Sequence, residues 1–269
     1  MPSVVAGPFF KWAGGKGQLL QQYSPLLPTR WRTYFEPFLG GGAVFFHLQS
    51  RPAVLSDVNE ELINAYAVVR DKVDELIAAL RVHRNERAYY YSVRAWKPET
   101  LPPVERAARL IFLNRTCFNG LYRVNKKGEF NVPFGRYLNP TICDEPGLRA
   151  ASLALRGIEI RVADFEEALE RAQEGDFAYL DPPYNPLSVT SSFTAYAENG
   201  FGEEEQRRLA SVYKHLDRRG AILMLSNSAS ELVRALYSAF RVVEVTARRP
   251  INSKAGGRGA IPELVILNY

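Results

Sequence analysis

Seven short apolar runs punctuate the chain and constrain its fold more than any other feature: 33–38 (TYFEPF), 53–57 (AVLSD), 158–163 (IEIRVA), 177–181 (FAYLD), 221–226 (AILMLS), 242–247 (VVEVTA) and 263–269 (ELVILNY). Most are continuously apolar instead of alternating, as strands are when helices cover both faces of a parallel sheet. Helical periodicity fills stretches between them, most clearly from Gly202 to Arg219. There Glu203, Glu204 and Glu205 open the segment, Leu209, Val212, Tyr213 and Leu216 recur at helical spacing, and Gly220 ends it. Acids at the start and glycine at the stop both suit a helix dipole. Alternating strands and helices predict an α/β fold with a doubly wound, mostly parallel, seven-stranded Rossmann-like sheet. The last two runs are joined by ARRPINSKAGGRGAIP, which has no helical period, so an antiparallel pair at one edge is expected.

About a hundred residues separate the second run from the third, far more than one crossover requires. The spacing predicts a mainly helical domain, residues 58–149, inserted into a domain built from 1–57 and 150–269. Twelve Lys/Arg and four Glu fall between Arg81 and Arg136, giving that window +8 and leaving −3 for the rest of a chain of net +5. Tyr89, Tyr90, Tyr91, Trp96, Phe112, Phe118, Tyr122, Phe130 and Phe134 lie in the same window. Basic charge interleaved with aromatic rings suits phosphates and unstacked bases. A solvated helix face would explain the charges better than it explains the rings. Within the window, FNGLYRVNKKGEFNVPFG (118–135) has the pattern of a β-hairpin turning at Asn125–Gly128.

The chain's 269 residues, 46% hydrophobic and 23% charged, are in the range of folded globular proteins. MPSVVAGPFFKWAGG lacks the pattern of a signal peptide and no run approaches the length of a membrane span, so a soluble, cytoplasmic protein is expected. Cys117 and Cys143 have no metal-ligand or disulfide spacing, and His47, His83 and His215 are scattered, so no metal is expected.

Three segments carry chemistry. After the first strand, FEPFLGGGAVFF is a glycine-rich turn that opens a helix. It departs from the dinucleotide fingerprint because Phe45 stands where the third glycine belongs, leaving Phe38, Gly40 and Gly42 as the pattern. Asp57 ends the second strand, where an acid can bind a ribose hydroxyl pair; glycines and acid together indicate a nucleoside-type ligand. Near the N-terminus, FKWAGGKGQLL offers Trp12 for packing and Lys16 as a cation for a carboxylate, unless it is a plain helix-entry loop. The third segment, DPPY (Asp181–Tyr184), follows the fourth strand, and open α/β sheets bind ligands at the carboxyl ends of strands. An exocyclic amine on an aromatic ring is a poor nucleophile until its N–H bonds are held. The Asp181 carboxylate and Pro182 carbonyl can hold them, and the Tyr184 ring can stack on the base.

FKWAGGK, FLGGG, DVN, the hairpin NGLYR…GEFNVPFGRY and DPPY, in this order, resemble the Dam-type N6-adenine DNA methyltransferases. The resemblance runs from about Phe10 to Phe201 and loosely beyond. It implies transfer of a methyl group from S-adenosylmethionine to N6 of an adenine flipped out of double-stranded DNA, within a GATC-containing site. It implies cofactor contacts from Trp12, Lys16, Asp57 and Asp181, a pocket shaped by Phe38, Gly40 and Gly42, and Asp164 and Phe165 flanking the cofactor's adenine. Asp181, Pro182 and Tyr184 become the catalytic residues, with Asp181 holding the amine and not serving as a strong general base, since carboxylates are weak bases. In the inserted domain it implies that Arg123 reads a guanine, Leu121 wedges into the stack, and Asn119, Pro133, Tyr137 and Lys11 contact the site. Ala197 departs from relatives that carry a polar residue there. A monomer, with a dimer on DNA as the alternative, associated with the nucleoid through DNA, is expected. The residues alone leave open another acceptor (cytosine N4, RNA adenine or a glutamine amide) and a non-enzymatic DNA-binding module whose DPPY is only a turn; the loop 248–258 either closes over phosphates or merely connects.

Overall fold

The structure, a computed structural model, describes residues 4–184, 201–248 and 260–269. Ala197 and residues 249–258 of the connecting loop lie outside the described residues. All seven expected strands form: β1 Tyr34–Glu36, β2 Ala53–Asp57, β3 Glu159–Val162, β4 Phe177–Leu180, β5 Ile222–Ser228, β6 Arg241–Arg248 and β7 Ala260–Leu267. They order as β3-β2-β1-β4-β5-β7-β6. β1 pairs in parallel with β2 and β4, and β4 with β5, whereas β7 runs antiparallel between β5 and β6. The expected antiparallel pair is therefore present, with β6 as the edge and β7 inside the sheet.

Prolines set where two strands stop. β1 is shorter than its apolar run because Pro37, next after Glu36, has no N–H for the ladder, and β4 ends at Leu180 just ahead of Asp181-Pro182-Pro183.

The chain divides into two compact units. The second, Lys16–Leu39, Ser50–Ser56 and Ala163–Tyr269, has a core in which Phe35, Leu180, Leu223, Leu225, Leu264 and Ile266 of the sheet meet Leu209, Tyr213 and Leu216 of the helix Glu203–Arg218. That helix has the bounds its acids and terminal glycine predicted.

The first unit, Met1–Gly15, Gly40–Gln49 and Asp57–Val162, is mainly helical. Its longer helices are Glu60–Asp71, Val73–Arg81, Arg87–Arg94, Pro103–Thr116 and Glu145–Leu155. Asn59 caps the first of these by accepting from the Leu62 N–H at 3.1 Å. An aromatic core joins Tyr90, Phe112, Leu113, Phe130 and Val132, with the Tyr90 hydroxyl donating to the Val132 carbonyl at 2.8 Å. Part of the basic charge is structural. Arg109, only 3% exposed, donates to the carbonyls of Val93 and Arg94 at the end of the helix Arg87–Arg94, while Arg106 pairs with Glu61 and Arg115 binds the Phe9 carbonyl. The expected hairpin is narrower than its sequence pattern. The turn closes through Gly128 N–H to Asn125 carbonyl (2.9 Å) and Asn125 N–H to Glu129 carbonyl (2.9 Å), but among the described residues the arms meet in two isolated bridges, Val124 to Phe130 and Cys117 to Phe134, instead of a continuous ladder. Pro133 has no N–H to give, and pairing resumes around it through its carbonyl, which accepts from the Phe118 N–H at 2.9 Å.

Candidate active site

In the first unit the glycine turn is built around an indole. Gly40 adopts φ +47°, and a Cβ added to it would stand 2.8 Å from Trp12 Cδ1, so the ring lies where any other residue would place a side chain. Gly40 is tied at both ends: its N–H donates to Asp57 Oδ2 at 3.1 Å and its carbonyl accepts from the buried Tyr66 hydroxyl at 3.1 Å. Gly42, at φ +66°, takes the left-handed conformation that starts the helix Ala43–Leu48. Asp57 Oδ1 accepts from the Asn59 N–H at 3.0 Å. Burial pushes the Asp57 carboxyl above its ordinary value, against the pull of the Gly40, Asn59 and Val58 N–H groups. Trp12 also stacks on Tyr122, with centroids 5.2 Å apart and planes 22° off parallel. A glycine cradle, indole and buried acid fit the sugar-and-base end of a nucleoside.

The same unit collects the residues expected to meet DNA. Asn114, 1% exposed, accepts from the Lys11 N–H through Oδ1 and donates through Nδ2 to the carbonyls of Lys11 and Gly120. It thereby joins the FKW segment to the turn Phe118–Gly120, where Asn119 has φ +56°. Phe118 N–H donates to the Pro133 carbonyl at 2.9 Å, and Lys11 Nζ lies 4.3 Å from the centre of the Tyr137 ring. Leu121 is exposed. Arg123 is exposed too; its Nε donates to Asn131 Oδ1 at 2.7 Å, and both Nη groups have no partner among the described residues.

The second unit holds the DPPY turn. Lys16, 4% exposed, lies in the short 3₁₀ turn Lys16–Gln18 and pairs its Nζ with Asp181 Oδ1 at 2.8 Å. Ser226 of β5 donates to the same oxygen at 2.8 Å. Since Ser226 has one proton and gives it to Asp181, the Tyr179 hydroxyl, 3.0 Å away, is the donor to Ser226. Pro183's carbonyl accepts from Gln206 Nε2 at 2.9 Å, and Gln206 Oε1 accepts from Asn227 Nδ2 at 2.9 Å. Among the described residues, none donates to Asp181 Oδ2 or to the Pro182 carbonyl. The Tyr184 hydroxyl donates to Glu263 Oε2 at 2.6 Å, and Lys16 Nζ lies 4.7 Å from the ring centre. Burial, followed by the charge of Asp181, holds the Tyr184 hydroxyl far above its ordinary range, so it remains a donor.

Phe38, Phe165 and Phe201 make an aromatic wall in the same unit: Phe38 stacks on Phe165 at 5.5 Å and meets Phe201 edge-on at 5.7 Å. Asp164 caps the helix Phe165–Leu169 through the Glu166 N–H and takes both terminal nitrogens of Arg208 at 2.8 Å. Burial alone would raise the Asp164 carboxyl, but the Arg208 hydrogen bonds outweigh it and hold the group below its ordinary value.

Ser226, Asn227, Gln206, Glu263, Arg208 and Asn114 were not singled out from the sequence. One signal was present: β5 passes from ILML to Ser-Asn-Ser, and all three polar residues are buried, at the strand end where α/β sheets place their sites. No described group of three or more His, Cys, Asp or Glu is placed to hold a metal, and no described helix is long and apolar enough to cross a membrane.

Residues 12–251 match the family model of the D12 class N6 adenine-specific DNA methyltransferase. The chain is 46% identical over 285 residues to the type II methyltransferase M.MjaIII of Methanocaldococcus jannaschii, covering 97% of this chain and 99% of that one. It is 45% identical over 270 residues to the type II methyltransferase M1.LlaDCHI of Lactococcus lactis subsp. cremoris (97% and 95%) and 36% identical over 263 residues to the DNA adenine methylase of Escherichia coli (96% and 94%).

Proposed function

This chain belongs to the D12 class of N6 adenine-specific DNA methyltransferases, and on that premise we propose that it takes the methyl group from S-adenosylmethionine and delivers it to an adenine flipped out of duplex DNA at a GATC-containing site. The observation that supports the chemistry most is the asymmetry of the DPPY turn. Asp181 Oδ1 is engaged by Lys16 and Ser226 and the Pro183 carbonyl by Gln206, whereas no described residue donates to Asp181 Oδ2 or the Pro182 carbonyl. Two open acceptors match the two N–H bonds of an exocyclic amine.

When bound, the cofactor supplies an electrophilic methyl group on a sulfonium. Trp12, Gly40, Gly42 and Asp57 would hold its nucleoside, Phe38, Asp164 and Phe165 its adenine, and Lys16 and Asp181 its amino-acid end; the aromatic, acidic and cationic character of these residues fits such a ligand. Asp181 Oδ2 and the Pro182 carbonyl orient the target amine, and Tyr184 holds the base flat. Positioning of this kind supplies much of the rate in a direct displacement. Asp181 Oδ2 then takes the proton shed by the methylated amine; a weak base suffices, because losing that proton returns an electron pair from the nitrogen to conjugation with the ring. Flipping is required because N6 is inaccessible to in-line attack within the stack.

Residues 58–149 would read the site and 1–57 with 150–269 would carry the chemistry, the protein acting as a monomer in the cytoplasm. Incubating the enzyme with plasmid and labelled cofactor, then hydrolysing the DNA, should yield labelled N6-methyladenine and block cleavage by a nuclease sensitive to methylated GATC. Labelled N4-methylcytosine would refute the acceptor, and unprotected GATC sites would refute the sequence. Arg123→Ala should relax one base position by about 1–3 kcal/mol of discrimination while leaving the others intact. A uniform loss of affinity across substituted duplexes would instead make Arg123 a phosphate contact.

A further inference from the structure

DPPY follows β4 with two residues that donate no backbone hydrogen bond, so the sheet cannot continue through it. Side chains from elsewhere hold it instead: Ser226 at Asp181, Gln206 with Asn227 behind it at the Pro183 carbonyl, and Glu263 at the Tyr184 hydroxyl. The first two act on the start and middle of the turn. The last acts on the far end of the aromatic ring.

A tyrosine ring fixed only at its Cα keeps two side-chain torsions, and a base stacking on it must first pay for their loss. Tyr184 has its hydroxyl tethered as well, by a 2.6 Å bond to a carboxylate, the stronger charge-assisted kind. Glu263 is well placed for this because β7 runs antiparallel beside β5, with Glu263 opposite Ser228 at the site end of that strand. We infer that Glu263 is a positioning residue for capture of the target base, acting through the Tyr184 hydroxyl to preset the ring before the base arrives. The inference rests on Tyr184 being the stacking face, as proposed above.

The test uses the full chain with Tyr184→Ala, Tyr184→Phe, Glu263→Ala, Glu263→Gln and the double variant Tyr184→Phe with Glu263→Ala. The readouts are kcat and KM on a duplex that the wild-type protein methylates, fluorescence of the same duplex carrying 2-aminopurine at the methylated adenine, and S-adenosylmethionine affinity by calorimetry. Glu263→Ala and Tyr184→Phe should each lower kcat/KM for DNA about tenfold, with weaker 2-aminopurine signal and unchanged cofactor affinity. The double variant should be no worse than either single one, because both remove the same bond. Glu263→Gln, which keeps an acceptor, should recover most of the loss.

Multiplying losses in the double variant, or wild-type kcat/KM in Tyr184→Phe, would overturn the role of Glu263 while a Tyr184→Ala loss still upheld the stacking face. Full activity in Tyr184→Ala would overturn both. Should Glu263→Ala lose cofactor binding through misfolding, Tyr184→Phe and Glu263→Gln decide the matter on the same terms.

Discussion

Asp181→Asn is expected to lower the single-turnover rate of methylation by about 10²–10³-fold at saturating cofactor and DNA, the range seen when one preorganised polar group is removed from a reaction centre. Asparagine keeps the volume, and its oxygen can still accept from Ser226 and Lys16 at the position now held by Oδ1. Its other end becomes an NH₂ group. The open acceptor then turns into a donor facing an amine that also donates, so the target nitrogen is repelled instead of oriented. Lys16, almost fully buried, loses the negative charge of Asp181 at the same time. Asp181→Asn should therefore also melt at a lower temperature. A rate within a few-fold of wild type would sink the amine-holding role, whatever happened to stability.

Gly40→Ala should weaken S-adenosylmethionine binding by at least about tenfold in calorimetry, because the left-handed conformation costs an alanine roughly 1–2 kcal/mol and the new methyl adds a clash. That methyl would stand 2.8 Å from Trp12 Cδ1 and 3.1 Å from Nε1. Relief requires moving either the indole or the backbone that joins Asp57 to Tyr66 through Gly40. Gly41→Ala is the internal control: its Cβ would meet only Trp12 Cβ at 3.4 Å, an ordinary contact. Equal affinity in the two variants would show that the turn's shape does not govern cofactor binding.

β2, β4 and β5 were legible because they are short apolar runs, and burial on both faces leaves that signature in local sequence, whereas β3 and β6, largely exposed, carry charged residues between their apolar ones. The position of β7 between β5 and β6 was not, since period and composition carry no information about which neighbour a strand chooses. The residues of the candidate site divide in a similar way. Asp181, Pro182 and Tyr184 stood out by their unusual local order. Ser226, Gln206 and Glu263 reach the turn across 45, 23 and 79 residues of sequence, and each is an ordinary polar residue in its own segment. Lys16 was assigned to a cofactor carboxylate; the pairing with Asp181, far along the chain, needed the fold to bring it close. The basic window shows a further limit. Arg109 and Arg115 count towards the charge in composition, yet they serve helix-end and loop carbonyls inside the protein.

The insertion of β7 also sets an order of events during synthesis. β6 is synthesised before β7, yet among the described strands it pairs with β7 alone. At about 5–20 residues per second, Leu267 follows Arg248 by seconds, and until β7 is in place β6 has no strand of the described sheet to pair with. Glu263 arrives in the same late segment, so a nascent chain already carrying Lys16, Asp181 and Tyr184 still lacks the carboxylate that tethers the ring.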